Sequence, residues 1–243
     1  MTRRTNLPTL TMRVLLLLCA LSSVSGGEVP KNLTLSFHRV TVKEGQEETL
    51  TATAYIRSSP HLFCIEATEP IKQLVFFSPK NTLIYYPDEK KAMRIDYETQ
   101  QDISLETELT YLFRKDKGLE LSGYRLDHIE STNELTVSIW LPPAPFAKKI
   151  RDVRVVTDGS DRVLSMTTTG TGGKTMQETV YSGYEKGFLS LPTEVRTRMF
   201  LTDGSVQIET KLTLFSGNSS PALPERISAF VVPSETPLEI LKW

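Results

Sequence analysis

The clearest pattern in the chain is a series of short runs in which apolar and polar positions alternate, interrupted by proline. Between Pro60 and Pro87 the apolar segments are residues 62–65, 71–77 and 82–86, with further prolines between them. Proline fixes φ and lacks an N–H donor, so it suits strand ends, sheet edges and turns but not the middle of a helix. The pattern predicts successive antiparallel strands.

The same alternation continues along most of the chain. Outside this block, the predicted strands are residues 33–43, 49–57, 92–97, 119–129, 134–141, 151–157, 162–169, 174–182, 194–202 and 205–215. Asp158-Gly159 and Asp203-Gly204 each separate two of these runs, and aspartate-glycine is a strong hairpin signal because glycine accepts the positive φ of the turn. The glycine cluster at residues 170–173 predicts a third hairpin.

One internal segment has helical periodicity. Residues 102–117 carry apolar side chains at helical spacing, among them Leu109 and Leu112. Asp102 can cap the start of this helix, and Gly118 stands where a left-handed C-terminal residue is expected. Because predicted strands flank the segment on both sides, its apolar stripe is expected to cover one face of a sheet. We therefore predict a mainly β fold, an unclosed antiparallel β-barrel with a helical lid.

The first 25 residues predict a secretory signal peptide. Arg3, Arg4 and Arg13 precede an apolar core of about eight residues, followed by small residues that suit cleavage after Ser25. That core is far shorter than the roughly 20 residues of a membrane-spanning helix. We expect residues 26–243 to form a single β-barrel domain.

The cysteine content indicates the cellular compartment, and the net charge restricts the kinds of partner. Removal of the signal peptide removes Cys19 and leaves Cys64 alone, so no internal disulfide can form, which suits a bacterial periplasm. Leu18 argues against lipidation of Cys19, because bacterial lipidation signals place a small residue before the cysteine. Without the three N-terminal arginines, 25 basic residues face 29 acidic ones, and the resulting net charge of −4 disfavours nucleic-acid binding.

The sequence contains no constellation that is typical of an enzyme. His38, His61 and His128 are scattered without metal-ligand spacing, and the glycine cluster before Lys174 lacks the pattern of a phosphate-binding loop. We therefore predict a protein that is not an enzyme and needs neither metal nor cofactor. An unclosed barrel can enclose a cavity for an apolar ligand or fill its interior with side chains, and the residues leave both possibilities open.

The segment between Arg57 and Pro87 resembles the hallmark of the periplasmic outer-membrane lipoprotein carrier family LolA. Arg57 precedes Pro60-His61-Leu62-Phe63, then a valine-containing strand and a turn, and the segment ends in Tyr85-Tyr86-Pro87. Residues 230–233, with 236–238 after them, are similar to the closing strand of that family. The resemblance therefore touches both ends of the mature chain.

This resemblance implies a monomeric periplasmic carrier in which a helical lid covers a hydrophobic cavity. Such a carrier accepts the acyl chains of lipoproteins, or lipids, from an inner-membrane lipoprotein-releasing transporter and passes them to an outer-membrane acceptor. The resemblance also implies that Arg57 hydrogen-bonds the lid and holds the empty cavity shut. The implied ligand-binding residues are Arg57, Leu62, Phe63, Leu83, Tyr85, Leu109 and Leu112. Each also has a simpler interpretation, as a solvated strand-end cation or as ordinary sheet core.

Two other functions stay open at this point. A regulatory lipid- or protein-binding module of the RseB type predicts a protein partner. A structural envelope protein with a filled barrel predicts neither ligand nor partner, whereas a carrier predicts an apolar ligand that copurifies with the chain.

Overall fold

Fourteen strands form one sheet in the computed structural model, which describes residues 31–59, 62–78, 80–97, 116, 118–132, 134–184, 191–219 and 222–242. In chain order the elements are β1 (Asn32–Lys43), β2 (Gln46–Arg57), β3 (Leu62–Glu69), β4 (Gln73–Phe77), β5 (Asn81–Tyr86), β6 (Lys91–Asp96), β7 (Arg125–Ser131), β8 (Leu135–Leu141), β9 (Ile150–Asp158), β10 (Val163–Gly170), β11 (Thr175–Tyr184), β12 (Pro192–Phe200), β13 (Val206–Ser219), the short helix α1 (Glu225–Ser228) and β14 (Leu238–Lys242).

The strands are arranged as two meanders that meet at β1. Their order across the sheet is β14-β6-β5-β4-β3-β2-β1-β13-β12-β11-β10-β9-β8-β7. Neighbours are antiparallel, except that β14 runs parallel to β6. The order begins with β14 and ends with β7, so the described strands form an unclosed, mainly antiparallel sheet, as the sequence predicts.

The central strand β1 defines the two faces of the sheet. Leu33, Leu35 and Phe37 alternate along it and are all 0% exposed. Side chains alternate between faces along a strand, so these three lie on one side, which we call the inner face; the opposite side is the outer face. β1 pairs with β2 over its full length and with β13 through a bulge between Ser36 and Phe37.

The main buried cluster lies on the inner face and extends across both meanders. It includes Phe63 and Ile65 from the first meander and Val155, Val195 and Leu212 from the second. Sheets of more than about 10 strands curl or divide. Curling lets one sheet bury a continuous apolar face against itself, which accounts for a half-barrel rather than a flat sheet.

The three predicted hairpins are confirmed. They join β9 to β10, β10 to β11 and β12 to β13. In the first, the positive φ (60°) belongs to Asp161 and not to Gly159. The Asp158 carboxylate stabilises that turn by accepting hydrogen bonds from the N–H groups of Ser160 (2.9 Å) and Arg162 (3.0 Å).

The predicted strand at residues 119–129 begins too early. Gly123 has a φ of 80°, and the N–H of Tyr124 donates to the carbonyl oxygen of Leu119 at 2.9 Å. These features make a turn, because positive φ is incompatible with an extended strand. β7 therefore begins only at Arg125.

Of the residues that resemble the family's closing strand, 230–233 and 236–238, the first group is not in a strand and Leu238 begins β14. Phe230 stacks on Phe76 of the sheet, with ring centroids 4.7 Å apart, and Pro233 has no N–H to donate to a neighbouring strand. The chain joins the sheet again at Leu238, where β14 pairs with β6.

The predicted signal peptide lies outside the described residues, as does the predicted lid helix at 102–117 except for Asp116. Gly118 has a φ of 74°, the left-handed conformation expected of it, and Leu119 beside it belongs to the main buried cluster. Within the described ranges, no helix is both long enough and apolar enough to cross a membrane.

A close approach between β11 and β12 gives a test of this fold. Gly183 has a φ of 71°, and a Cβ placed there would lie 2.0 Å from Oγ1 of Thr193. We expect Gly183→Ala to lower the free energy of unfolding by about 1–2 kcal/mol through backbone strain, plus about 1–3 kcal/mol through the clash. Urea unfolding measures the total loss in the free energy of unfolding.

Gly204 provides the matched control. Its φ is 91°, but nothing lies within 4 Å of the position of its Cβ. Gly204→Ala should therefore show only the backbone term. Equal losses in the two variants would contradict the close approach of Gly183 to Thr193.

Candidate functional site

An aromatic pair marks the inner face of the first meander. Phe63 on β3 and Phe77 on β4 are paired in register, and their rings are stacked with centroids 5.0 Å apart. Phe63 is buried and Phe77 is half-buried. Tyr86 and Tyr97 pack against the same cluster, and the Tyr97 hydroxyl lies 2.6 Å from that of Thr82. This region is a flat, aromatic part of the inner face, and Phe77, Tyr86 and Tyr97 are its partly exposed members.

Aliphatic side chains surround the aromatic pair. Those of the first meander are buried and come from β3, β4, β5 and β6: Ile65, Val75, Ile84, Met93 and Ile95. Their branched or flexible shapes fill the pleated surface between the rings. The inner face of the first meander is therefore apolar over four adjacent strands.

The predicted site residues are divided between the two faces. Phe63 lies on the inner face, in the main cluster. Leu62 lies on the outer face, where it packs against a second, smaller cluster. Leu83 and Tyr85 also face outward, because they alternate with the inward-facing Ile84 on β5. The structure therefore does not bring these four side chains into one cavity lining.

Arg57 lies at the end of β2, in register with Leu62 of β3. It is half-buried and follows the inward-facing Ile56, so its side chain belongs to the outer face. Leu109 and Leu112 lie outside the described residues. The lid contact implied for Arg57 therefore stays a prediction.

The C-terminal part of the chain covers the outer face of the first meander. Leu223, which precedes α1, and Ile227 within α1 belong to the same small buried cluster. They bury themselves against Tyr55 and Cys64. The ring of Phe230 then stacks on Phe76 and lies 5.4 Å from that of Tyr85. We call residues 223–230 the outer strap.

Three polar side chains anchor the outer strap to β2 and β3. Arg226 donates to Glu66 at 2.6 Å and to the Tyr55 hydroxyl at 3.1 Å, while that hydroxyl donates to Glu66 at 2.8 Å. Burial, with the Glu66 carboxylate beside it, raises the pKa of Tyr55. Tyr55 therefore keeps its proton and donates to Glu66 at neutral pH. Sequence analysis missed this strap, because its contacts join residues that are 160 or more positions apart.

Cys64 is a free cysteine and is buried. Burial raises the pKa of the Cys64 thiol to about 12, so the nucleophilic thiolate is scarce. In the part of the chain that the structure covers, no three His, Cys, Asp or Glu side chains are grouped to hold a metal ion.

Solved structures share this architecture. A LolA superfamily protein from Nitrosomonas europaea aligns with 89% of this chain and 96% of its own, with a TM-score of 0.52 and 12% identity. A DUF1329 family protein from Desulfovibrio piger aligns with 82% of this chain and 90% of its own, with a TM-score of 0.51 and 13% identity.

A third solved structure, a putative outer membrane lipoprotein-sorting protein domain from Vibrio parahaemolyticus, covers 83% of this chain and 91% of its own, with a TM-score of 0.50 and 13% identity. No protein-family model and no curated protein matches the sequence. The chain therefore has the LolA-like fold, which confirms the fold predicted from residues 57–87; at these identities the likeness extends to the fold alone.

The outer strap gives a prediction for Cys64, which is 0% exposed beneath it. In the chain without its first 25 residues, we expect Cys64 to resist alkylation at pH 8, because it is buried and its pKa of about 12 keeps it protonated. Ile227→Ala should speed alkylation, because loss of a buried isoleucine costs about 2–5 kcal/mol of stability. Mass spectrometry of the iodoacetamide adduct measures the rate.

Val231→Ala is the control, since Val231 is 81% exposed next to the same strap. It should leave the alkylation rate unchanged. Rapid alkylation of Cys64 in the native chain would contradict the placement of the outer strap.

Proposed function

We propose that this protein binds the acyl chains of lipoproteins or lipids on the inner face of its sheet and carries them across the periplasm. The observation that carries the proposal is the apolar inner face of an unclosed sheet, centred on the stacked rings of Phe63 and Phe77. The LolA-like fold and the predicted signal peptide support it. Each methylene group removed from water contributes about 0.8 kcal/mol to the free energy of binding, so a long chain would be held without any covalent bond.

Carriage requires release as well as binding. A sheet that does not close can change its curvature or its cover without breaking a complete ring of strand pairs. We propose that the protein receives its cargo from an inner-membrane transporter and delivers it to an outer-membrane acceptor as a monomer. In this scheme the protein makes and breaks no covalent bond, so it is not an enzyme.

A structural role with a filled barrel is the second candidate. The burial of β1 favours it, because Leu33, Leu35 and Phe37 are fully buried by the chain's own residues. This role predicts that the inner face takes up no hydrophobic compound.

The two candidate functions predict different results when Phe77 is replaced. An uncharged long-chain acyl ester should bind the wild-type chain, and Phe77→Asn should weaken binding by about tenfold or more, because part of an aromatic contact surface is lost. Fluorescence titration with a polyene acyl ester measures the dissociation constant, and urea unfolding verifies that the variant folds.

Phe215 is the control. It is the extra residue of the bulge on β13, opposite Ser36 and Phe37, and it is 59% exposed and outside the main buried cluster. Phe215→Asn should leave the dissociation constant unchanged. Equal weakening by both variants would contradict an inner-face site, and absence of binding to the wild-type chain would favour the filled barrel.

A further inference from the structure

The loop between β8 and β9, residues 142–149, presents an exposed aromatic ring. Phe146 is 50% exposed, although main-chain hydrogen bonds hold the loop around it. Its N–H donates to the carbonyl oxygen of Pro143 at 2.9 Å, and its own carbonyl oxygen accepts from the N–H groups of Lys149 (2.9 Å) and Ile150 (2.8 Å). The backbone therefore fixes this turn, and half of Phe146 is left in contact with solvent.

Basic side chains follow Phe146 closely. Lys148 and Lys149 are both exposed. Arg151, the next basic residue, is paired with Asp152 at 2.5 Å, so the two lysines carry the charge of the loop. Residues 142–151 include no acidic residue, whereas the chain as a whole has 28 basic and 29 acidic residues. The β8–β9 loop is therefore a local basic region in a chain that is slightly acidic.

The hairpins next to this loop continue the same surface. Alternate connections of an antiparallel meander lie at the same end of the sheet, so the β10–β11 and β12–β13 hairpins stand beside the β8–β9 loop. The N–H of Thr171 donates to the carbonyl oxygen of Lys149 at 3.1 Å, and Lys174 donates to that of Thr202 at 2.6 Å. Exposed apolar residues accompany these two hairpins: Met176, Leu201 and Val206.

A further turn contacts the β8–β9 loop from its other side. A Cβ placed at Gly123 would lie 3.4 Å from Cβ of Pro143, so the turn at residues 118–123 touches the loop. Leu121 in this turn is 50% exposed. The acidic residues of the neighbouring turns are Glu120 here and Asp203 on the β12–β13 hairpin, so they flank the basic region and do not interrupt it.

This combination of groups suits the surface of a lipid bilayer. An aromatic ring can enter the headgroup region, while the long apolar stems of lysine let the ammonium groups stay among the phosphates. Buried apolar area and attraction to anionic lipids contribute together to such binding. A row of turns at one end of a sheet can also meet a flat surface together. One ring and a few charges bind reversibly, as a protein that leaves the membrane again requires.

We propose that the β8–β9 loop and the β10–β11 hairpin dock this end of the sheet on an anionic lipid bilayer. Phe146 enters the headgroup region, and Lys148 and Lys149 contact lipid phosphates. This inference goes beyond the proposed function, because docking requires no acyl chain on the inner face. For a carrier, docking would hold the protein at the membrane where cargo is exchanged.

Flotation with lipid vesicles tests the docking. The protein purified from cells that export it is mixed with vesicles of phosphatidylglycerol and phosphatidylcholine in equal parts, or of phosphatidylcholine alone. We expect binding to the anionic vesicles to be about tenfold tighter and to weaken as salt is raised, because salt screens the lysine charges. Phe146→Ser and the double variant Lys148→Gln/Lys149→Gln should each weaken binding to anionic vesicles by about tenfold.

Two controls match these variants in chemistry. Lys90→Gln/Lys91→Gln removes two adjacent exposed lysines from the β5–β6 turn, which belongs to the other meander. Phe215→Ser removes a residue that is 59% exposed on β13. Both controls should bind the anionic vesicles as the wild-type chain does. Urea unfolding verifies that every variant folds.

The outcomes separate docking from acyl binding. Absence of wild-type binding to anionic vesicles would overturn the inference, and so would equal weakening by the loop variants and their controls. Phe77→Asn should leave vesicle binding unchanged. If it abolishes binding while Phe146→Ser does not, lipid enters the inner face, so acyl binding stands and docking fails. If only the loop variants lose vesicle binding and the wild-type chain takes up no acyl ester, docking stands and the proposed function fails.

Discussion

The pairing of β1 with β13 is the constraint on which the rest of the structure depends. It joins residues near the start of the described chain to residues near its end, from Leu33 opposite Ser219 to Lys43 opposite Ile208. Each meander alone would have an exposed edge at this line. Because β1 of the first meander pairs with β13 of the second, their apolar faces merge into one inner face, and the main buried cluster spans both.

The two faces of the sheet that this pairing creates differ in what lies on them. The inner face is apolar around Phe63 and Phe77 and becomes polar at Arg39. The outer face of the first meander is already covered by the outer strap, which Arg226 and Glu66 anchor. The proposed acyl binding on the inner face and the fastening of the C-terminal part of the chain would therefore use opposite sides of the same strands.

Local signals in the sequence predict much of this fold, and long-range ones do not. Alternation and aspartate-glycine turns predict most strands and the three hairpins, because both act between near neighbours. The faces of Leu62, Leu83 and Tyr85 could not be assigned, since the inner side is defined by the register of β1 with β13. Arg39 interrupts the apolar stripe of β1 in the sequence, but its burial is evident only in the folded structure. The parallel β14 and the four-residue α1 left no periodic signal.

Native mass spectrometry of the protein purified from cells that export it tests whether the inner face binds acyl chains. A carrier should show a bound population whose extra mass is lost on denaturation and is recovered by extraction as an acyl compound. A single mass equal to that of the bare chain, unchanged after incubation with long-chain acyl compounds, would contradict it and leave the protein as a filled barrel.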